Sequence, residues 1–385
     1  MKKILIHHHA TFNKMEENIY TRSFIAEWVN ELTKYFFVGL LIHESRTAIK
    51  NNDTKLYSSV RLHSLGREGN RWDRIERINR IKKICLEVSC EYDLLIIRGI
   101  TPRQYTIYKN CNTKHKLFFL VGSIKDSTPS FKKIFSNPYS YLMYYVRFIE
   151  LFLISKNAHL VTNSKHVAKE SERIFKLKNI DVIPTNTISK QIHFKRDYFI
   201  KKEINLIFVG RIEIDKGILE LLSAFNELIN DNYKFKLTFV GLYSTKIMEK
   251  IKNLKYWNQI SSKVFFTGFV PYGNELFNLY KKSDIFILPS YHEGFPHAIW
   301  EAAAFDLPVI VSNVGGIRGF LNKEHVELIE PKSEKQIYNA INYILSNPKL
   351  SRKRILKLKQ LLLENNLEKC VEKLNLKIKK IISVG

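Results

Sequence analysis

Short runs rich in Ile, Val, Leu and Phe recur along the chain, separated by longer stretches in which apolar residues return every three to four positions. A continuous apolar run fits a strand buried on both faces, and the three-to-four spacing fits an amphipathic helix. In the first half the pattern predicts strands at Lys3–His8, Phe36–His43, Asp93–Arg98, Leu117–Val121, His159–Thr162 and Asp181–Pro184, with helices over residues 72–90, 138–156 and 164–176. A second series predicts strands at Asn205–Val209, Lys236–Val240, Val264–Thr267, Asp284–Leu288, Pro308–Ser312 and Glu327–Ile329. Two such series predict the α/β class, with two Rossmann-like parallel-sheet domains. The expected boundaries are 1–185 for the first domain, 186–203 for a polar, basic linker and 204–345 for the second domain. Residues 346–385 then form a basic helical tail packing back toward the first domain. At 385 residues the chain exceeds what one core usually holds, which agrees with two domains.

Charge adds a second constraint. The 62 Lys+Arg against 37 Asp+Glu leave a net +25, with more of the excess in the first half. Such a field draws nucleic acid, anionic lipid or a phosphate-bearing substrate. No recognisable nucleic-acid module accompanies it, so no nucleic-acid partner is expected. Tyr139–Ile154 is apolar and aromatic but interrupted by Arg147 and Glu150. It reads as a buried or half-buried helix, with docking on a membrane surface as the second reading. The start MKKILIHHH reads as a first strand rather than a signal peptide. Cys85, Cys90, Cys111 and Cys370 have no CxxC spacing, which predicts reduced thiols and a cytoplasmic setting. His7, His8 and His9 are adjacent on an extended strand, where side chains alternate, so they cannot all face one ion and no metal is expected.

Two segments carry candidate chemistry. In residues 206–225 a strand ends at Gly210, a turn carries Arg211 and Lys216, and Gly217 opens a helix. Two cations beside a helix N-terminus suit a diphosphate, because backbone N–H groups and the helix dipole add to the side-chain charges. In residues 283–316 a strand runs into a loop carrying Glu293, and Glu301 lies inside the following helix. Seven intervening residues prevent the two from acting as an adjacent pair on one helical face. They suit gripping different parts of one extended ligand, with Gly294 and Phe295 bringing backbone N–H groups close and Pro296 at the helix start.

The string E-G-F-P-x4-E from Glu293 to Glu301 resembles the E-x7-E signature of the retaining glycosyltransferases of the large group 1 family, commonly called family 4. G-R-x4-K-G at Gly210–Gly217 resembles that family's diphosphate-binding turn, and Phe266–Val270, Leu279-Tyr280, Asp284, Pro289-Ser290 and Val314–Gly316 follow in the family's order. The resemblance covers roughly residues 160–345, and the earlier part by architecture only. It implies a GT-B fold whose two domains face a cleft, with the acceptor on the first domain and the nucleotide-sugar on the second. Arg211 and Lys216 would stabilise the leaving diphosphate without a metal or cofactor. Glu293 would contact the transferred sugar, Glu301 the ribose, and Gly268 and Val270 would lie near the base.

The donor so implied is a UDP- or GDP-sugar. The expected acceptor is a glycan or lipid-linked glycan of surface polysaccharide assembly, met at an anionic membrane surface on the cytoplasmic side. In the first domain the resemblance is looser. Ser164 follows a strand where the family has a serine, and the capping of a helix explains it equally. His9 stands where a Gly-Gly loop is common, Lys125-Asp126 where a His-Asp pair is common, and Gly319 where an acid is usual. These departures leave the first-domain site residues His9, Lys125, Asp126 and Ser164 open. A sugar-nucleotide epimerase, another GT-B enzyme and an inactive partner subunit remain alternative readings.

Overall fold

The computed structural model describes residues 1–46, 53–67, 74–101, 103–122, 124, 138–189, 194, 203–229 and 234–383. The chain divides into two compact units, Met1–Thr187 with Leu367–Gly385, and Ile188–Asn366. The expected Lys125 and Asp126, and most of the expected linker, lie outside the described residues.

In the first unit the strands are β1 (Lys3–Met15), β2 (Asn18–Arg22), β3 (Phe37–Glu44), β4 (Asp53–Lys55), β5 (Arg61–Arg67), β6 (Leu94–Arg98), β7 (His115–Leu120), β8 (His159–Thr162) and β9 (Asp181–Val182). Its helices in chain order are α1 (Ser23–Leu32), α2 (Arg74–Ser89), α3 (Gln104–Asn110), α4 (Pro138–Asn157) and α5 (Lys165–Phe175). Parallel pairing gives the order β5-β3-β1-β6-β7-β8-β9. Alternation along the strands sends Ile4, Ile6, Leu94, Ile96 and Phe119 against α1, and Leu5, Leu95, Ile97 and Phe118 against the opposite helices. Both faces are therefore apolar, as the continuous runs required.

β1 is longer than the expected Lys3–His8. Its parallel register with β3 breaks between His7 and Thr11, and Phe12–Met15 then pair antiparallel with β2. β4 adds to β2, again antiparallel. Thr11 and Phe12 still pair parallel with β3, and only the mostly polar Asn13–Met15 run past it into the hairpin.

The second unit contains β10 (Glu203–Val209), β11 (Lys234–Val240), β12 (Val264–Gly268), β13 (Ile285–Leu288), β14 (Val309–Ser312) and β15 (Glu327–Ile329), all parallel in the order β12-β11-β10-β13-β14-β15. Helices α6 (Ile218–Leu228), α7 (Thr245–Lys252), α8 (Trp257–Ile260), α9 (Asn274–Lys282), α10 (His297–Ala304), α11 (Glu334–Ser346) and α12 (Pro348–Glu364) surround it. Phe208, Phe225, Phe239, Phe286, Phe305 and Trp300 fill its core.

The stretch expected as a single tail belongs to both units. In α12 Leu358 and Leu362 join the second core. The final helix α13 (Leu367–Ser383) presents Leu367, Val371, Leu374, Ile378 and Ile381, a stripe of four- and three-residue steps, to the first core. Asn365 and Asn366 separate the two stripes, so the change of unit falls where the apolar pattern breaks. Among the described residues no helix is long and apolar enough to cross a membrane.

Candidate functional site

In an open parallel sheet the chain leaves its first central strand in one direction and returns to build in the other, which leaves a crevice at the carboxyl ends of the two middle strands. In the second unit those strands are β10 and β13. The loop after β10 carries Gly210, Arg211 and Lys216. The loop after β13 carries Glu293, Gly294, Phe295 and Pro296. The topology thus brings together two segments nearly eighty residues apart in sequence.

These loops are locked by backbone contact. The Tyr291 N–H donates to the Asp215 carbonyl at 2.8 Å, and the Gly316 N–H donates to the Glu293 carbonyl at 3.1 Å. Gly217 has φ 69° and Gly315 φ 49°, a conformation other residues adopt only with strain. A Cβ at Gly217 would strike the carbonyl of Pro289, and one at Gly315 would strike the carbonyl of Glu293. Glycine at both positions lets the loops after β10, β13 and β14 lie against one another.

Side chains complete the arrangement. Lys216 Nζ donates to Glu293 Oε1 at 2.8 Å, and the Ser290 hydroxyl donates to the same oxygen at 2.7 Å. The lysine and glutamate side chains are 14% and 11% exposed. A pair so shielded holds its geometry better than one in water, where side-chain freedom and screening dissolve most of the gain. Arg211 differs: its guanidinium pairs with Glu213 at 3.0 Å on the surface, with 67% of the side chain exposed. One cation of the turn is thus exposed and the other shielded.

Glu301 belongs to a separate network. It is buried on α10 and accepts a 2.6 Å hydrogen bond from the Tyr280 hydroxyl on α9. Burial raises its carboxyl above the ordinary range, and the Tyr280 hydrogen bond pulls the other way. The Tyr280 phenol is itself pushed well above its ordinary value, chiefly by burial and then by the neighbouring carboxylate. The two glutamates of the E-x7-E string are therefore held by different partners on different elements.

Phe295 packs on Trp300 and Phe320 with ring centres 5.0 and 4.9 Å away, which commits its side chain to the core and leaves its backbone to line the loop. Pro296 is the residue before α10 and starts that helix without a side-chain cap. Gly268 ends β12, where its carbonyl accepts the Gly241 N–H at 2.8 Å, and Val270 follows, packed on the core. Sequence reasoning gave no role to Ser290, Tyr280 or Tyr291. Tyr291 donates to Glu220 at 2.6 Å and lies 5.0 Å beneath the Lys332 ammonium. Ser290 and Tyr280 stood in the matched strings, but only the fold shows which carboxylate each one meets.

The first-unit residues are placed differently. Ser164 is buried and caps α5, accepting from the Val167 N–H at 3.3 Å. His9 is exposed, its ring tilted against that of His8 at 4.2 Å between ring centres. His7 and His8 are buried: His7 Nδ1 bonds the Leu41 carbonyl at 2.9 Å, and His8 Nδ1 accepts the Ala10 N–H at 2.9 Å. A carbonyl only accepts, so His7 carries its proton on Nδ1. A backbone N–H only donates, so neutral His8 carries its proton on Nε2. Burial lowers His7 to about 4 and lowers His8 well below the usual histidine range. Among the described residues no cluster of three or more His, Cys, Asp or Glu is placed to hold a metal.

The sequence model described as "Glycosyl transferases group 1" matches residues 189–360. A capsular polysaccharide biosynthesis glycosyltransferase of Staphylococcus aureus, CapM, is 28% identical over 144 residues, which is 37% of this chain and 37% of that protein. The chain thus spans little more than a third of this curated relative. Solved structures match over the whole length: a sucrose-phosphate synthase from Thermosynechococcus elongatus superimposes with TM-score 0.76 at 16% identity, covering 100% of both chains. Anabaena Alr3699/HepE in complex with UDP and glucose superimposes with TM-score 0.70 at 12% identity, covering 99% of this chain and 100% of the other. The fold is GT-B, and over residues 189–360 the chain is similar to the group 1 glycosyl transferases.

Proposed function

We propose that the protein transfers a sugar from a nucleotide-sugar to a glycan or lipid-linked glycan, with retention of anomeric configuration and without a metal. The observation that carries this reading is the Lys216–Glu293–Ser290 cluster at the switch point of the second sheet, held in place by Gly217 and Gly315. Glycosyl transfer builds positive charge on the sugar while negative charge grows on the departing phosphate. A cation fixed before the reaction stabilises that growth without reorganisation. Lys216 fits this role, with Arg211 closing on the diphosphate as a planar fork. Glu293 would contact the transferred sugar and orient Lys216, and Glu301 would accept from the ribose hydroxyls. Gly268 and Val270 would flank the base, and the Gly294–Pro296 backbone would face the sugar and phosphates.

A UDP- or GDP-sugar is the expected donor, since the Anabaena relative of the same fold is described in complex with UDP. Surface polysaccharide synthesis is the expected setting, as named for the staphylococcal relative. The test is a melting-temperature screen of the full chain against UDP-, GDP-, ADP- and CMP-sugars, because a ligand of the native state raises apparent stability. One nucleotide class should stabilise wild type and not Lys216→Ala. Stabilisation by none, or equally in the mutant, would overturn the reading.

Peripheral association with an anionic membrane on the cytoplasmic side belongs to the same proposal. On α4 Leu142, Tyr145, Val146, Ile149 and Phe152 are exposed at steps of three and four residues, a continuous apolar stripe. Arg147 and Lys156 lie on the same helix, and the chain carries +25. Vesicles with anionic lipid should sediment the protein and release it at high salt, and neutral vesicles should not.

A further inference from the structure

The first sheet has its own switch point, between β1 and β6, where the chain builds outward through β3 and β5 on one side and through β7 to β9 on the other. Arg98 is the last residue of β6. In register His7 lies beside Ile97, so His8 and Arg98 come next on their strands, on the face covered by α1. The Arg98 guanidinium carbon lies 4.9 Å from the Trp28 ring centre and 5.8 Å from that of Phe24, and the His8 ring meets Phe24 edge-on at 5.6 Å.

Arg98 is only 4% exposed, and its Nε is buried without a hydrogen-bond partner. Among the described residues no carboxylate pairs with it. Burial lowers the guanidinium to about 10, which still leaves it charged at neutral pH. Contact with two aromatic faces recovers only part of the hydration that a buried cation loses. A buried charge normally persists only when paired, and no carboxylate among the described residues of this unit pairs it. Beside it stands His8, held neutral by burial and by the arginine's own charge, with its proton on Nε2. A cation in fork geometry and a neutral N–H donor at the carboxyl edge of a sheet suit a small oxyanion.

We propose that Arg98, with His8 beside it, binds an oxyanion, a phosphate or carboxylate group carried by the acceptor. Assignment to the acceptor rests on the glycosyl-transfer reading, whereas the oxyanion site itself does not. It narrows the acceptor to an anionic one: a lipid phosphate or an acidic sugar.

The test titrates the full chain with inorganic phosphate, using wild type, Arg98→Gln, Arg98→Lys and Lys216→Ala. Arg98→Gln should fold and lose one phosphate-binding event, weakened roughly tenfold or more, and Lys216→Ala should keep that event. Arg98→Lys keeps the charge without the planar fork and should bind several-fold more weakly than wild type. Unchanged phosphate binding in Arg98→Gln, or in Arg98→Lys if the glutamine variant does not fold, overturns the site. Loss of the fold in both variants also overturns it, since Arg98 would then be a scaffold cation. Competition against the bound phosphate by dodecyl phosphate or by glucuronate separates the two acceptor sources, and competition by neither overturns the acceptor assignment. If nucleotide-sugars bind while phosphate binding ignores Arg98, the site fails and the transfer reading stands. If no nucleotide-sugar binds while the Arg98-dependent event persists, the transfer reading fails and the site stands.

Discussion

The two sheets share one strand order about their switch points, yet they meet charge there in opposite ways. In the second unit Lys216, Glu293 and Ser290 satisfy one another within 2.8 Å. In the first unit Arg98 is buried against aromatic rings, with no carboxylate paired to it among the described residues. A self-paired site is pre-organised and exchanges one set of contacts for another when a ligand arrives. An unpaired cation is satisfied only by something brought from outside. The same architecture therefore yields one site that is poised and one that is incomplete, and the difference lies in which residues end the central strands.

The largest expected effect breaks the poised side of this comparison. Lys216→Ala should reduce transfer by about 100- to 1,000-fold, the cost of losing one preorganised charge-stabilising donor. Among the described residues it also leaves the Glu293 carboxylate with the Ser290 hydroxyl alone, so some loss of stability should accompany it. Arg211→Ala should fall toward the lower end, because its exposed pairing with Glu213 contributes little to folding and its melting temperature should hold. Near-wild-type kcat in both variants would place the diphosphate elsewhere.

Next in size is the backbone lock. Gly217→Ala and Gly315→Ala each impose a left-handed conformation on alanine, costing about 1–3 kcal/mol before the carbonyl collisions are counted. Denaturant unfolding measures this directly. A change below about 0.5 kcal/mol would mean the loops are loosely held and the site is not pre-organised.

Glu301→Gln sharpens the contrast through its sign. Burial raises the folded carboxyl above the ordinary value of 4.5. The folded state then binds the proton more tightly than the unfolded chain, so this group's contribution is most favourable below that ordinary value and falls as pH rises through the raised one. The glutamine variant, which can still accept from Tyr280, should melt at or above wild type at pH 7, with the advantage fading near pH 4. Donor affinity should nevertheless drop roughly tenfold, the effect of weakening one hydrogen bond to a charged group. A lower melting temperature at pH 7 with unchanged affinity would make Glu301 a structural residue.

Much of this organisation was legible in the chain. The strands of the second sheet match the apolar runs best at its centre, where β13 and β14 are buried on both faces and burial and hydrophobicity report the same thing. The β1–β2–β4 hairpin was not legible: Asn13–Met15 and Asn18–Arg22 mix polar and apolar residues without the period of a buried strand. β5, with the sequence RLHSLGR, hides for the same reason at the sheet edge. The paired loops of the second unit could be read because two strings carry them. Tyr280 meets Glu301 across 21 positions, a relation that only the tertiary fold creates. Arg98 was invisible because a charge ending the run Leu94–Arg98 reads as a strand leaving the core for water, and nothing in the sequence says that Trp28 and Phe24 cover it.

The smallest expected effect decides whether Ser164 belongs to the site or to the scaffold. Its hydroxyl is buried and accepts the Val167 N–H, which satisfies one of the donors that every helix leaves unpaired in its first turn. Ser164→Ala removes that acceptor and should cost about 1 kcal/mol of stability, with Ser164→Asp recovering most of it because aspartate caps equally well. Transfer rates measured well below the melting temperature should not change for either variant. A residue acting on the acceptor would show the reverse: a fall in kcat/KM for the alanine that aspartate worsens, since a second negative charge would repel the anionic group that Arg98 is proposed to hold. Unfolding and steady-state kinetics on these two variants therefore assign Ser164 to the cap or to the acceptor site.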